Sequence, residues 1–125
     1  LNLDSEDEGE LYIGCAGGID TLIEMEYETE EVKGDFEYYE IIVNGLRGGH
    51  SGDDIQKGYG NAVKILNRIL WEASNKNELR LASFKGGNLR NAIAREAFAK
   101  TCIPSQQKKE FEKLLIKLSR IIIAF

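Results

Sequence analysis

Gly45-Leu46-Arg47-Gly48-Gly49-His50-Ser51-Gly52 lies between an alternating apolar run and a helical one. Reading it as a strand-to-helix connection decides the fold class. Four glycines in eight residues permit left-handed backbone or close approach of another group. The stretch also holds His50, the single histidine of the chain. An imidazole on such a loop can donate a hydrogen bond, accept one or ligate a metal, or it can be incidental to a surface loop.

Upstream, Phe36 to Val43 alternates, with Tyr39, Ile41 and Val43 on one face. Before it, Ile23, Met25 and Tyr27 alternate with Glu24, Glu26 and Glu28, which predicts another strand with a wet glutamate face. Lys33-Gly34-Asp35 between the two runs predicts an antiparallel hairpin. Leu11 to Ala16 is a short apolar run ending at Gly17-Gly18, a candidate buried strand.

Downstream, Asp53 and Asp54 stand where a helix would begin, well placed for its dipole. Ile55, Tyr59, Ala62, Leu66, Ile69 and Ala73 recur at helical spacing, widened by Val63 and Leu70. Gly58 and Gly60 weaken that helix by about 1 kcal/mol each against alanine. Asn75-Lys76-Asn77 ends it. Leu79 to Phe84 and Ile93 to Ile103 read as further strands, separated by the loop Lys85-Gly86-Gly87-Asn88-Leu89-Arg90-Asn91. Pro104 closes the last strand and Ser105 is a reasonable N-cap. Phe111, Leu114, Leu115, Leu118, Ile122 and Phe125 form the stripe of a second helix.

The order strand, strand, helix, strand, strand, helix predicts an α+β fold. Both helices need a face to cover, so an antiparallel sheet carries them on one side as a two-layer sandwich. The chain has 125 residues, 42% apolar and 30% charged, which suits one globular domain with its own core. The net charge of −5 argues against a nucleic-acid surface. No apolar run approaches the roughly 20 residues of a membrane span. Cys15 and Cys102 fall in apolar runs and read as buried thiols of a cytoplasmic protein rather than a disulfide. Residues 4–10 carry five carboxylates, readable as a solvated acidic turn or a site for a hard cation. The chain opens without Met and its last apolar pattern is uncapped, so it reads as a piece of something longer.

Three motifs in order carry a family resemblance. The first is Asn2-Leu3-Asp4-Ser5-Glu6-Asp7-Glu8-Gly9-Glu10 followed by Gly14-Cys15-Ala16-Gly17-Gly18. The second is Gly45 to Gly52, and the third runs from Phe84 to Ile93 with Arg95-Glu96-Ala97. Together they resemble the aminoacyl-histidine (Xaa-His) dipeptidases, the peptidase D group of the M20 metallopeptidases, from residue 1 to about residue 103.

The resemblance implies a catalytic domain with a two-zinc site and an inserted lid that also forms a homodimer. Residues 1–18 would be the end of the catalytic segment and residues 19–125 the lid. The implied lid is ferredoxin-like, with Ile19–Glu31 as an added strand and the closing strand missing here. Asp4 would match a zinc ligand, His50 the lid histidine that polarises the scissile carbonyl of a dipeptide, and Asn91 a lid asparagine that contacts substrate. His50 could act within one protomer or across the dimer. The implied general base is a glutamate in a motif the chain does not contain. The 125 residues alone are therefore expected to hold no zinc and to be inactive.

Two departures stand out. Ala94 replaces the family's usual proline, and the match fades beyond Pro104. The other reading is a stand-alone ferredoxin-like module for interaction or small-ligand binding. Asp4 and His50 favour the enzyme part, since an independent module has no use for a lone zinc ligand.

Overall fold

A computed structural model describes residues 8–14 and 17–123, with side chains described through residue 120. The chain falls into two units, Leu1–Glu30 and Glu31–Phe125. In the first, the described residues form no strand or helix. Ile23, Met25 and Tyr27 are each more than 80% exposed. The strand expected over Ile19–Glu31, its hairpin with Phe36–Val43, and the strand expected from Leu11 are therefore not formed among the described residues. Alternation makes a segment fit for a strand, but a strand exists only once a neighbour takes its N–H and C=O groups. The 36–43 strand pairs on one edge only, with a strand far along the chain.

That strand, β1 (Phe36–Val43), pairs antiparallel with β3 (Ala97–Pro104), from Phe36 opposite Pro104 to Val43 opposite Ala97. β2 (Arg80–Gly86) pairs antiparallel with the other edge of β3, with an irregularity between Leu81 and Ser83. The sheet order is β1-β3-β2. β1 and β2 thus run parallel, and parallel strands need a crossover. Helix α1 (Ala62–Ser74) is that crossover, and β3 fills the gap between them. Helix α2 (Lys108–Ile123) follows β3. This is the α+β architecture expected: a three-stranded antiparallel sheet and two helices.

The core explains why these residues choose these elements. α1 buries Ala62, Leu66, Ile69, Leu70 and Ala73, the predicted stripe from Ala62 onward. α2 contributes Phe111, fully buried, and Leu114. The sheet contributes Ile41, Ala97, Ala99 and Ile103. Alanines at 97 and 99 on the central strand leave room for the larger side chains of the helices. The Tyr39 and Phe111 rings meet edge to face at 4.9 Å, and the Tyr39 hydroxyl donates to Glu112 at 3.3 Å. Lys108 pairs with Glu37 at 3.1 Å, fixing the start of α2 beside β1. Cys102 is a buried free thiol, as expected, and Cys15 lies outside the described residues.

Element boundaries differ from expectation for local reasons. The helix expected from Asp53 is two pieces: a short 3-10 turn at Ile55–Lys57, then α1. Gly58, at φ +69°, ends the first piece in a left-handed conformation. Asn61 starts the second by accepting the Lys64 amide. Ile55 is consequently 64% exposed rather than part of the buried stripe. The strand expected from Ile93 begins at Ala97, because the 91–95 segment takes its hydrogen bonds elsewhere. Ser105, expected as the N-cap of α2, lies in a 3-10 turn, Ser105–Gln107, and its amide donates to Asp35 O.

Phe111 is the largest fully buried side chain and joins α2 to the sheet. Phe111→Ala should destabilise the fold by about 3–5 kcal/mol, the usual cost of emptying an aromatic site. Urea unfolding followed by circular dichroism measures it; a loss below 1 kcal/mol would mean that α2 does not anchor the core.

Candidate functional site

Two loops leave the sheet at the same end, from the two strands that flank β3, and pair with each other. One runs from β1 to α1 and contains His50; the other runs from β2 to β3 and contains Asn91. Ser51 N donates to Asn91 O at 3.0 Å and Ile93 N to Gly49 O at 2.8 Å. His50 and Ala92 form an isolated antiparallel bridge. Ala62 N then donates to Ala94 O at 2.9 Å, tying the same segment to the first turn of α1. The structure therefore brings His50 and Asn91 together, although 40 residues separate them. Asp4 lies outside the described residues.

The glycines make this approach possible. Gly48 has φ +74°, and a Cβ there would fall 2.5 Å from Arg95 Cγ. A Cβ on Gly49 would fall 2.8 Å from Asp54 Oδ2 and 3.1 Å from the Tyr59 ring. Arg95 Nε donates to Leu46 O at 3.2 Å, and the Arg47 guanidinium lies 4.3 Å over the Tyr59 ring. Arg95 holds the loop from the segment before β3, and Arg47, within the loop, packs it onto Tyr59. Sequence reading did not find either contact, since neither spacing is local.

Around His50 the backbone folds back on the imidazole. Gly52 N donates to His50 Nδ1 at 3.1 Å, and Asp53 N points at the same atom from 3.3 Å. An Nδ1 that accepts N–H groups carries no proton of its own, so the neutral ring has its proton on Nε2. The His50 side chain is half exposed. The N–H of the neutral ring then lies on Nε2, on a loop whose backbone is bridged to the Asn91 loop. Asn91 is exposed, and its carbonyl serves the loop pairing.

Asp54 was expected only as a charge at a helix start. It accepts the His50 amide at 2.7 Å through Oδ2 and pairs with Lys57 at 2.6 Å through Oδ1. The Lys57 ammonium first, and the His50 amide second, hold its carboxyl below the usual range. Asp54 in turn raises the Lys57 ammonium above the ordinary lysine value.

Beside the paired segments lies an open cavity of about 660 Å³, lined among others by Lys85, Asn88, Leu89, Arg95 and Phe98. Neither His50 nor Asn91 lines it. Among the described residues, no three His, Cys, Asp or Glu side chains gather as a metal site. With Nδ1 of His50 engaged by the backbone, the described residues do not fit a zinc pair by themselves.

The Asp54 carboxylate stabilises the loop when charged. Its folded pKa is depressed, so its contribution is complete above the unfolded value, about 3.9, and is lost as pH falls through the lower folded value. Lys57 has a raised folded pKa, so its share is complete below about 10.4 and is lost only above that. The His50 amide proton, read by ¹H–¹⁵N NMR, should keep its Asp54-bonded shift down to the carboxylate range and lose it below. Loss between pH 6 and pH 5 would contradict this account.

Comparison with known proteins shows the family of the chain. The M20 peptidase dimerisation domain matches residues 38–124. Cytosol non-specific dipeptidase of Escherichia coli (strain K12) is 43% identical over 122 residues, 98% of this chain and 25% of that protein. The crystal structure of aminoacylhistidine dipeptidase from Vibrio alginolyticus superposes with a TM-score of 0.71 at 36% identity, covering 74% of this chain and 19% of that one. The chain thus spans about a quarter of the length of the curated relative it matches. With most of its length under the family match and both paired loops inside it, the chain belongs to the M20 peptidase dimerisation domain family.

Proposed function

We propose that this chain is the lid and dimerisation part of a cytoplasmic zinc dipeptidase that hydrolyses Xaa-His and other dipeptides. The carrying observation is that the Gly52 and Asp53 amides face Nδ1 of a half-exposed His50 side chain, which assigns the ring proton, an N–H donor, to Nε2. In peptide hydrolysis, negative charge develops on the carbonyl oxygen of the scissile bond. A pre-aimed donor stabilises that charge without reorganising at the moment of reaction. His50 performs this role, and the exposed Asn91 amide, brought alongside by the loop pairing, orients the substrate. The dipeptidase names of both relatives support this reading. A two-zinc centre, with Asp4 among its ligands, belongs to residues outside those described. Residues 1–18 then end the catalytic segment and residues 19–125 form the lid. The buried reduced thiol of Cys102 suits a reducing compartment.

Self-association is the second half of the proposal. β2 is an edge strand. Between it and α1 runs a largely apolar groove of about 500 Å³, lined by Leu70, Trp71, Leu79, Leu81 and Phe84 among others. Trp71 is 67% exposed and Leu81 53%. An exposed tryptophan beside an open strand edge supplies both the anchor and the backbone groups that a second copy can use.

In the full-length protein, His50→Ala should lower kcat by about 100- to 1000-fold, the usual effect of removing one oxyanion donor. KM and melting temperature should change little, because the ring is not part of the core. Near wild-type kcat in the folded variant would end the catalytic reading. Mixing His50→Ala subunits with subunits lacking the general base should restore activity if His50 acts across the dimer. The 125-residue chain alone should hydrolyse no dipeptide and bind no stoichiometric zinc by calorimetry. Trp71→Glu should shift the assembly from dimer to monomer in analytical ultracentrifugation; an unchanged dimer would place the interface elsewhere.

A further inference from the structure

We infer that Asp54 is a positioning residue for His50: by accepting the His50 amide, its carboxylate holds the turn in the shape that aims backbone N–H groups at Nδ1 and so leaves the ring proton on Nε2. The bonds form a closed set. His50 N donates to Asp54 Oδ2 at 2.7 Å, and Asp54 N returns a bond to His50 O at 3.1 Å. Lys57 occupies the other carboxylate oxygen at 2.6 Å. The Gly52 and Asp53 amides between these two ends point inward, toward the imidazole. Asp54 is the more sheltered carboxylate, with 23% of its side chain exposed against 66% for Asp53.

Gly49 completes the arrangement, because a Cβ there would stand 2.8 Å from the accepting oxygen. The space for the carboxylate exists because residue 49 has no side chain.

Asp53 is the competing influence. Its Oδ2 lies 3.7 Å from Nδ1, where it would favour a proton on that nitrogen. At that distance no hydrogen bond forms, and an exposed pair in water contributes little. The backbone amides are closer and win.

The consequence for catalysis rests on the proposed role of His50, but the positioning itself can be tested without activity. His50 is the single histidine of the chain, so its ring nitrogens can be read without ambiguity by long-range ¹H–¹⁵N NMR, at a pH where the ring is neutral. The wild-type chain should show a bare Nδ1 and a protonated Nε2. Asp54→Ala should lower the ratio of Nε2–H to Nδ1–H by roughly 3- to 10-fold, as loss of one ordinary hydrogen bond would. Asp54→Asn, whose side-chain oxygen still accepts, should restore the wild-type pattern without the Lys57 pair. Asp53→Ala should leave it unchanged. A wild-type pattern in folded Asp54→Ala would overturn the inference, as would mixed tautomers in Asp54→Asn should the alanine variant fail to fold. In the full-length protein, Asp54→Ala should lower kcat more than it raises KM. If His50→Ala leaves kcat intact while Asp54→Ala still mixes the tautomers, the donor reading falls and the positioning stands.

Discussion

The structure around the site depends on two backbone hydrogen bonds, Ser51 N to Asn91 O and Ile93 N to Gly49 O. They join loops that leave different strands and would otherwise be independent. A surface loop of this length has many conformations, and fixing each residue costs about 1–2 kcal/mol of conformational entropy. Pairing two such loops offsets that cost with one shared set of bonds. The price in sequence is a backbone that must approach closely, which is why Gly48 and Gly49 stand where a Cβ would collide with Arg95 and Asp54.

The sheet makes the pairing possible. β1 and β2 are parallel because α1 crosses over between them, and β3 enters the gap antiparallel to both. The β1–α1 and β2–β3 connections therefore emerge at the same end of the sheet. Delaying β3 until Ala97 leaves residues 91–95 unpaired with β1 and available to the His50 loop. The Ala62 amide, donating to Ala94 O, fastens the same segment to the buried start of α1.

What could be read from the sequence was whatever repeats locally. The buried stripe of α1 and the inward face of β1 follow from periods of 3.6 and 2, and both formed. The helix start at Asp53 was misplaced because the stripe extends backward through Ile55 on paper, while Gly58 and the Asn61 cap decide where backbone helix begins. The Ile23–Tyr27 alternation misled for the opposite reason: it was a sound strand pattern, but a strand forms only with a partner, and β1 pairs with β3 on one edge alone. At the site, His50 stood out as the single histidine of a glycine-rich loop and Asn91 through resemblance, while nothing in the sequence showed their adjacency. Asp54 was visible only as a charge.

The division of work between the two neighbouring aspartates shows why a charge at a loop cannot be assigned by position alone. Asp53 and Asp54 are adjacent and chemically identical, and both stand within reach of His50. Asp53 keeps most of its surface in water and reaches the ring only at 3.7 Å. Asp54 is turned inward, with one oxygen on a backbone amide and the other on Lys57. A carboxylate facing a ring nitrogen draws a proton toward that nitrogen; a carboxylate facing the backbone fixes geometry and leaves the ring nitrogen to the amides. The chain uses its more sheltered aspartate in the second way. A loop built to present an N–H outward requires that choice, because the same carboxylate placed on Nδ1 would draw the proton inward.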